Sequence, residues 1–319
     1  MASDYPKSDH YDGDKFFNLE EADDKSFFEV LKWKLTSSPE KWPETVENKN
    51  FPAPVLDPRD KSILTFINHA TYLITLPGLT ILTDPVFSER VSPVKFAGPK
   101  RVRRPGIEFE NLPPIQVVLI SHCHYDHLDE ESILRLEDKF HPLFLVPLGE
   151  EKRLKGWGVQ NVKELDWWQD HKVQETVITL TRVQHWSNRH LWDKRETLWG
   201  GYFIKSPQAS IYFGGDSGYG NHYTETKLKL GPPDVALLPI GAYEPRWFMR
   251  DMHMNPEEAI QAHLDLGAKV SLPMHFGTFQ LTDEGFKEPV ADLEKARKGK
   301  GLSEEVFPVL EQGQSYRLF

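Results

Sequence analysis

A chain of 319 residues with 48 acidic and 38 basic side chains has a net charge of -10, which argues against broad nucleic-acid binding, a task that draws on a basic surface. The length suits one large α/β domain or two smaller ones, and the single cysteine, Cys123, excludes an internal disulfide and fits a reducing compartment. The first ten residues lack the basic end and apolar block of a signal peptide, and no apolar run reaches membrane-spanning length, so a soluble, cytoplasmic protein is expected.

Residues 1 to 60 are polar, aromatic and interrupted by Pro39, Pro43, Pro52, Pro54 and Pro58, which disfavours long regular elements. One helix is predicted over 26–35, after Asp23-Asp24, with Phe27, Phe28, Leu31 and Leu35 on one face. That face can lie on a membrane or clamp onto the chain's own core. Core docking is preferred, because the polar face lacks the strongly basic character of a lipid-binding helix.

From Ser62, apolar runs at 63–67, 71–76 and 79–82 with the turn Pro77-Gly78 predict a β-meander. His69 and Asp84 lie at strand ends where loops converge. His69 reads equally as a structural or an active-site histidine, whereas Asp84 can accept a hydrogen bond from a ligating imidazole and fix its tautomer. The proline-rich segment 86–114 carries Lys100, Arg101, Arg103 and Arg104. It is either a solvated charge run or, if folded over a metal site, an anion-attracting rim.

The run Val117-Val118-Leu119-Ile120 does not alternate, as expected of a strand buried on both faces. Directly after it come Ser121-His122-Cys123-His124-Tyr125-Asp126-His127-Leu128-Asp129. In an extended loop, side chains two apart share a side, so His122 and His124 can grip one metal while Asp126 and His127 face a second. Burying so many ionisable groups without a metal is costly, and neutral imidazole with carboxylate suits zinc. Cys123 is either a thiolate ligand or a wall residue. The alternation favours the wall.

A helix over 132–140, a strand over 142–147 and a helical turn at 150–155 follow. After Trp167-Trp168 a second strand-rich half is predicted. A long strand over 173–183 runs to His185, and strands at 198–205 and 210–213 lead to the glycine-flanked Asp216. A strand over 235–240, a helix from Asn255-Pro256 to Leu266 and a strand over 270–273 ending at His275 complete the half. If these strand ends converge, His122, His124 and His185 hold one metal, Asp126, His127 and His275 hold the other, and Asp216 bridges them. His253 precedes the helix cap on a loop, from which an imidazole can reach over the metals towards substrate.

The order H-x-H-x-D-H, a lone His, a Gly-flanked Asp and a late His resembles the metallo-β-lactamase superfamily. That resemblance implies an α/β fold, the αβ/βα sandwich of two mixed β-sheets flanked by helices, with a dinuclear zinc site at one edge. Residues 61–319 would form this hydrolase domain, and residues 1–60 an N-terminal extension packing on the core. The motif around His122, the strings Gly214–Tyr219 and Pro239–Met249, and His275-Phe276-Gly277-Thr278-Phe279 more narrowly resemble the N-acyl-phosphatidylethanolamine-hydrolysing phospholipase D branch, over about residues 60–290.

The branch implies two Zn2+, places His253 near the substrate phosphate, and has Asp84 support the first motif from behind. A metal-activated hydroxide would attack phosphorus in line, with Asp126 orienting it and His253 donating to a phosphoryl oxygen or the leaving alkoxide. The partner expected is a small-molecule or phospholipid phosphodiester, with peripheral membrane contact left open. Lactone or thioester hydrolysis on the same site, or a non-catalytic metal-binding protein, are the alternatives.

Overall fold

The computed structural model describes residues 5–20, 25, 27–52, 62–190 and 192–318. Asp23, Asp24, Ser26, Pro54 and Pro58 lie outside the described residues, as does the side chain of Phe27.

In chain order the elements are α1 (Phe27–Thr36), β1 (Ser62–Asn68), β2 (Thr71–Leu76), β3 (Leu79–Thr83), β4 (Val117–Leu119), α2 (Glu130–Phe140), β5 (Leu143–Pro147), α3 (Glu150–Trp157), β6 (Val162–Leu165), β7 (Asp170–Val173), β8 (Thr176–Thr181), β9 (Gly201–Lys205), β10 (Ser210–Phe213), α4 (His222–Leu230), β11 (Val235–Pro239), α5 (Arg246–Met249), α6 (Pro256–Leu266), β12 (Val270–Met274), α7 (Glu288–Gly299) and β13 (Ser315–Leu318). Two mixed sheets result, ordered β13-β1-β2-β3-β4-β5-β6 and β12-β11-β10-β9-β8-β7.

Side-chain direction assigns the layers. In β4, Val117 and Leu119 enter the main core with residues of the second sheet, while Val118 joins Ile133, Leu136 and Leu154 beneath α2 and α3. β5 divides in the same way, Leu145 against Phe144 and Val146. Both faces are covered, which is why these strands read as unbroken apolar runs. On the second sheet α6 buries Ala259, Ile260 and Leu266, and its start is secured by an Asn255–Glu258 capping box. The architecture is the sandwich of two mixed sheets flanked by helices that the motif order implied.

Two expectations fail. The stretch 173–183 is a hairpin rather than one strand: Val173 pairs with Thr176 across Gln174-Glu175, and Gln174 takes a left-handed φ of 54°. Neither turn residue is a Gly, Asn or Asp that would mark it. The face of α1 expected to dock is outermost, with Phe28 78% and Leu35 76% exposed. α1 is held instead by its opposite face, where Trp33 stacks on Phe248 at 4.9 Å and donates to Asp283 at 3.2 Å. Earlier in the N-terminal segment, Tyr11 and Phe16 are buried in the main core.

Strand direction positions the site. β1, β3 and β4 run one way in the first sheet, and β8, β10, β11 and β12 run one way in the second. His69, Asp84 and the His122 motif follow the C-terminal ends of the first three, and His185, Asp216, His253 and His275 follow those of the other four. Loops at the carboxyl ends of co-directed strands are where open α/β sheets gather ligands.

Candidate metal centre

The loops approach each other closely. A Cβ on Gly215 would stand 2.8 Å from that of Ser121, and its φ is +55°, so only glycine lets the Asp216 loop meet the motif. His69, Asp84 and His275 have φ of 44°, 31° and 63°, left-handed conformations that cost a non-glycine residue roughly 1–3 kcal/mol each. Local bonds hold them: His275 N–H donates to the His69 carbonyl at 2.8 Å, Asp84 N–H to the Leu119 carbonyl at 2.9 Å, and His69 N–H to Thr278 Oγ1 at 3.0 Å.

Partners decide which imidazole nitrogen is protonated. His185 Nδ1 faces the Met252 carbonyl at 3.0 Å. A carbonyl only accepts, so Nδ1 carries the proton and Nε2 keeps its lone pair. His127 Nδ1 donates to Asp84 Oδ2 at 2.6 Å, which turns Nε2 towards the Asp216 and Asp126 carboxylates. The Ser121 hydroxyl donates to Asp84 Oδ2 at 2.6 Å and accepts from His122 Nδ1 at 2.9 Å, which frees His122 Nε2. Asp84 therefore orients two imidazoles, one directly and one through Ser121.

The imidazole nitrogens and carboxylate oxygens converge. His122 Nε2 and His185 Nε2 lie 2.8 and 3.2 Å from His124 Nδ1. His127 Nε2 and His275 Nε2 each lie 3.1 Å from Asp216 Oδ2, and 3.5 and 3.3 Å from Asp126 Oδ2. Two clusters, His122-His124-His185 and Asp126-His127-His275, each have donor atoms within 4.8 Å of one another, and so do the overlapping groups Asp84-His122-His127 and His185-Asp216-His253. His69 joins the Asp126-His127-His275 cluster, its Nε2 3.0 Å from Asp126 Oδ2. Asp216 Oδ2 stands between the clusters, 4.0 Å from His185 Nε2.

This donor set fits divalent cations. His127 Nε2 and Asp216 Oδ1 are buried without a hydrogen-bond partner, a penalty of about 1–3 kcal/mol per group that ligation removes. Burial resists ionisation of Asp126 and Asp216, yet His127 and His275 hold both carboxyls well below the usual range. Burial would likewise lower His275, but Asp216 and Asp126 raise it to about 9, and they raise His127 as well. A divalent cation held by these residues would supply the same positive charge in place of those protons. Burial pushes His122 and His185 well down and His124 to about 4, so these remain neutral donors.

The remaining candidates fall in distinct places. His253 lines a cavity of about 280 Å³ beside His124, Asp126 and Asp216, with its Nδ1 3.8 Å from Asp216 Oδ2. Cys123 turns away into the outer core, its Sγ 3.6 Å from Thr197 Oγ1, and burial pushes its thiol up. None of Lys100, Arg101, Arg103 and Arg104 lines this cavity. Arg101 is buried and donates to the Ser88 and Val86 carbonyls, Arg103 pairs with Glu311, and Lys100 pairs with Glu89. The cations lining the cavity are Lys25 and Lys194, among apolar walls that include Val30, Trp33, Phe248 and Met249.

The Ser121 hydroxyl, the Met252 carbonyl and the α1 side chains Val30 and Trp33 belong to the site without having been singled out in the sequence. Ser121 adjoins the motif and Met252 adjoins His253. Nothing in the pattern of α1 marks Trp33.

Residues 80–276 match the model of a beta-lactamase superfamily domain. N-acyl-phosphatidylethanolamine-hydrolyzing phospholipase D 1 of Caenorhabditis elegans is 36% identical, covering 78% of this chain and 74% of that protein. The mitochondrial N-acyl-phosphatidylethanolamine-hydrolyzing phospholipase D of Saccharomyces cerevisiae is 34% identical, covering 76% of this chain and 53% of that protein. Igni18, a metallo hydrolase from Ignicoccus hospitalis, shares the fold with a TM-score of 0.61 at 21% identity, over 81% of this chain and 98% of that one. The chain belongs to the metallo-β-lactamase superfamily of metal-dependent hydrolases, with N-acyl-phosphatidylethanolamine-hydrolysing phospholipases D among its relatives.

Proposed function

We propose that the protein is a dinuclear zinc phosphodiesterase of phospholipase D type, acting on N-acyl-phosphatidylethanolamine or a related phosphodiester. The observation that carries this reading is the cavity, lined by His124, Asp126, Asp216 and His253, by Lys194 and by Lys25, which pairs with Asp251 at 3.3 Å, and by apolar side chains. It suits an anionic head beside an apolar tail. The relatives named for that activity support the choice of substrate class.

His122, His124 and His185 would hold one Zn2+, Asp126, His127 and His275 the other, with Asp216 bridging. When bound, two such ions polarise phosphoryl oxygens and lower the pKa of coordinated water from 15.7 towards about 7. Asp126, held by His69 Nε2 at 3.0 Å, orients the attacking oxygen through its carboxylate. His253, which burial lowers to about 4, is a neutral imidazole that donates an N–H to a phosphoryl oxygen or the leaving alkoxide. Trp33, Phe248 and Met249 line the apolar part of the cavity. No helix among the described residues is long and apolar enough to cross a membrane. We assign the protein to the cytoplasm, meeting its substrate at a bilayer surface.

The test is turnover by zinc-loaded protein of N-acyl-phosphatidylethanolamine, a nitrophenyl phosphodiester, a thioester and a lactone. Release of phosphatidate and N-acylethanolamine is expected. Faster turnover of the thioester or lactone would move the reading to acyl hydrolysis on the same site. No turnover of any of them with two zinc ions bound would leave a metal-binding protein.

A further inference from the structure

We infer that the N-terminal segment supplies a positioning residue for the metal centre: Asn18, whose carboxamide holds the backbone of His185. Asn18 Nδ2 donates to the His185 carbonyl at 2.9 Å, and the His185 N–H donates to Asn18 Oδ1 at 3.3 Å. The indole Nε1 of Trp199 donates to the same oxygen at 3.2 Å. Because that oxygen takes two N–H donors, the amide nitrogen must face the carbonyl, which leaves one orientation of the side chain. The carboxamide thus pairs with His185 as a neighbouring strand would, beyond the end of β8 where the ladder has stopped.

The segment is anchored on both sides of Asn18. Phe16 N–H donates to the Arg195 carbonyl at 2.9 Å. Two residues beyond Asn18, Glu20 accepts from Arg182 and from the Asn221 N–H, each at 3.2 Å. These contacts bracket His185 in sequence, on Arg182 before it and Arg195 after it. The Met252 carbonyl on Nδ1 sets the turn of the imidazole ring, and Asn18 holds the backbone carrying that ring, beside Gln184, whose N–H donates to Ser217 Oγ at 3.0 Å and whose carbonyl accepts from the Gly218 N–H at 2.9 Å. Together they aim Nε2 at His124 Nδ1, 3.2 Å away. An arm outside the two sheets therefore braces one member of a ligand cluster. A carboxamide is required, since an aspartate at this place would accept from the His185 N–H but set an oxygen against the His185 carbonyl.

The inference rests on the two-cluster reading of the centre, and its test separates the two. Full-length wild type, Asn18→Ala and Asn18→Asp are compared in chelator-treated and zinc-loaded forms. The readouts are amide hydrogen exchange at His185 in the treated protein, stepwise zinc affinity by chelator competition, and the unfolding midpoint. In Asn18→Ala, exchange at His185 is expected to rise at least about 10-fold. Affinity for the zinc that His185→Ala also loses should fall about 10–100-fold, the usual scale for a group orienting a ligand, while the other zinc is retained. Asn18→Asp, keeping an acceptor but no donor, should fall between wild type and Asn18→Ala in exchange. Unchanged exchange at His185 would overturn the inference whatever the metal does, and so would equal loss at both zinc sites in step with the unfolding midpoint. If wild type bound no zinc, the dinuclear reading would fail. Faster exchange at His185 in Asn18→Ala would still establish the backbone clamp.

Discussion

The imidazoles of the centre differ in what their second nitrogens touch. His122, His127 and His185 have theirs engaged by Ser121, Asp84 and Met252, whereas His69 Nδ1, His124 Nε2, His275 Nδ1 and His253 Nδ1 are buried without a hydrogen-bond partner, and the His253 ring forms part of the cavity wall. Burial, with His275 nearby, outweighs Asp216 and lowers His253 to about 4, so at neutral pH it is uncharged, and in the proposed mechanism it donates one hydrogen bond. His253→Ala should therefore reduce turnover about 10²–10³-fold, the scale of one lost donor to a developing oxyanion. His253→Gln should keep part of the activity. Zinc content measured on the same samples should not change. Loss of zinc would make His253 a ligand, and full activity would make it a wall residue. The donors themselves were legible because they cluster at the ends of apolar runs, where ionisable groups have no other reason to gather. The Met252 carbonyl was not, since any residue has one and only the fold decides which carbonyl meets His185.

Among elements, the strands of both sheets were readable where turn residues punctuate them, as at Pro77-Gly78. They were not where Gln174 takes a left-handed conformation without the usual residues. For α1 the periodicity located the helix, but a pattern of apolar residues cannot say which face meets a neighbour. Here Trp33, paired with Asp283 and Phe248, decides it. The segment before α1 looked irregular, and residues 5–20 hold no helix or strand, yet they are fastened by a histidine. His10 lies between Asp9 and Asp166, Nδ1 and Nε2 at 2.6 and 2.7 Å from their oxygens, and stacks on Trp167 at 4.4 Å. Burial alone would lower the His10 pKa, but the bonds to Asp166 and Asp9 outweigh it and raise it above 6.5. A group whose pKa is raised by folding contributes stability that is complete below its unfolded pKa and lost as pH rises through the folded one. The difference in urea midpoint between wild type and His10→Gln should accordingly be largest near pH 6 and shrink towards a constant residue from lost stacking at alkaline pH. A gap that stays the same across this range would show that His10 is not charged in the fold.

At the scale of the whole molecule, the donors are divided between the two sheets. His122 and His124 follow β4 in the first sheet, while His185 follows β8 in the second; Asp126 and His127 belong to the first sheet, and His275 follows β12 in the second. Each cluster therefore spans the sandwich, and each ion would tie one sheet to the other at the edge where the core ends. Asp216, between the clusters and 3.1 Å from both His127 Nε2 and His275 Nε2, would serve both ions. Two zinc ions per chain are expected by elemental analysis, and Asp216→Ala should lose at least one. Because a ligand that binds only the folded state stabilises it by mass action, free zinc at 100 times its dissociation constant adds about 2.7 kcal/mol per site. For a domain of this size each kcal/mol moves the thermal midpoint by about 2–4 °C or somewhat less, so chelation should lower it by several degrees, and re-addition of zinc should restore it. Asp216→Ala should show a much smaller shift on chelation. A single ion in fully active wild type would end the dinuclear mechanism, and a thermal midpoint indifferent to zinc would show that the ions do not brace the two sheets.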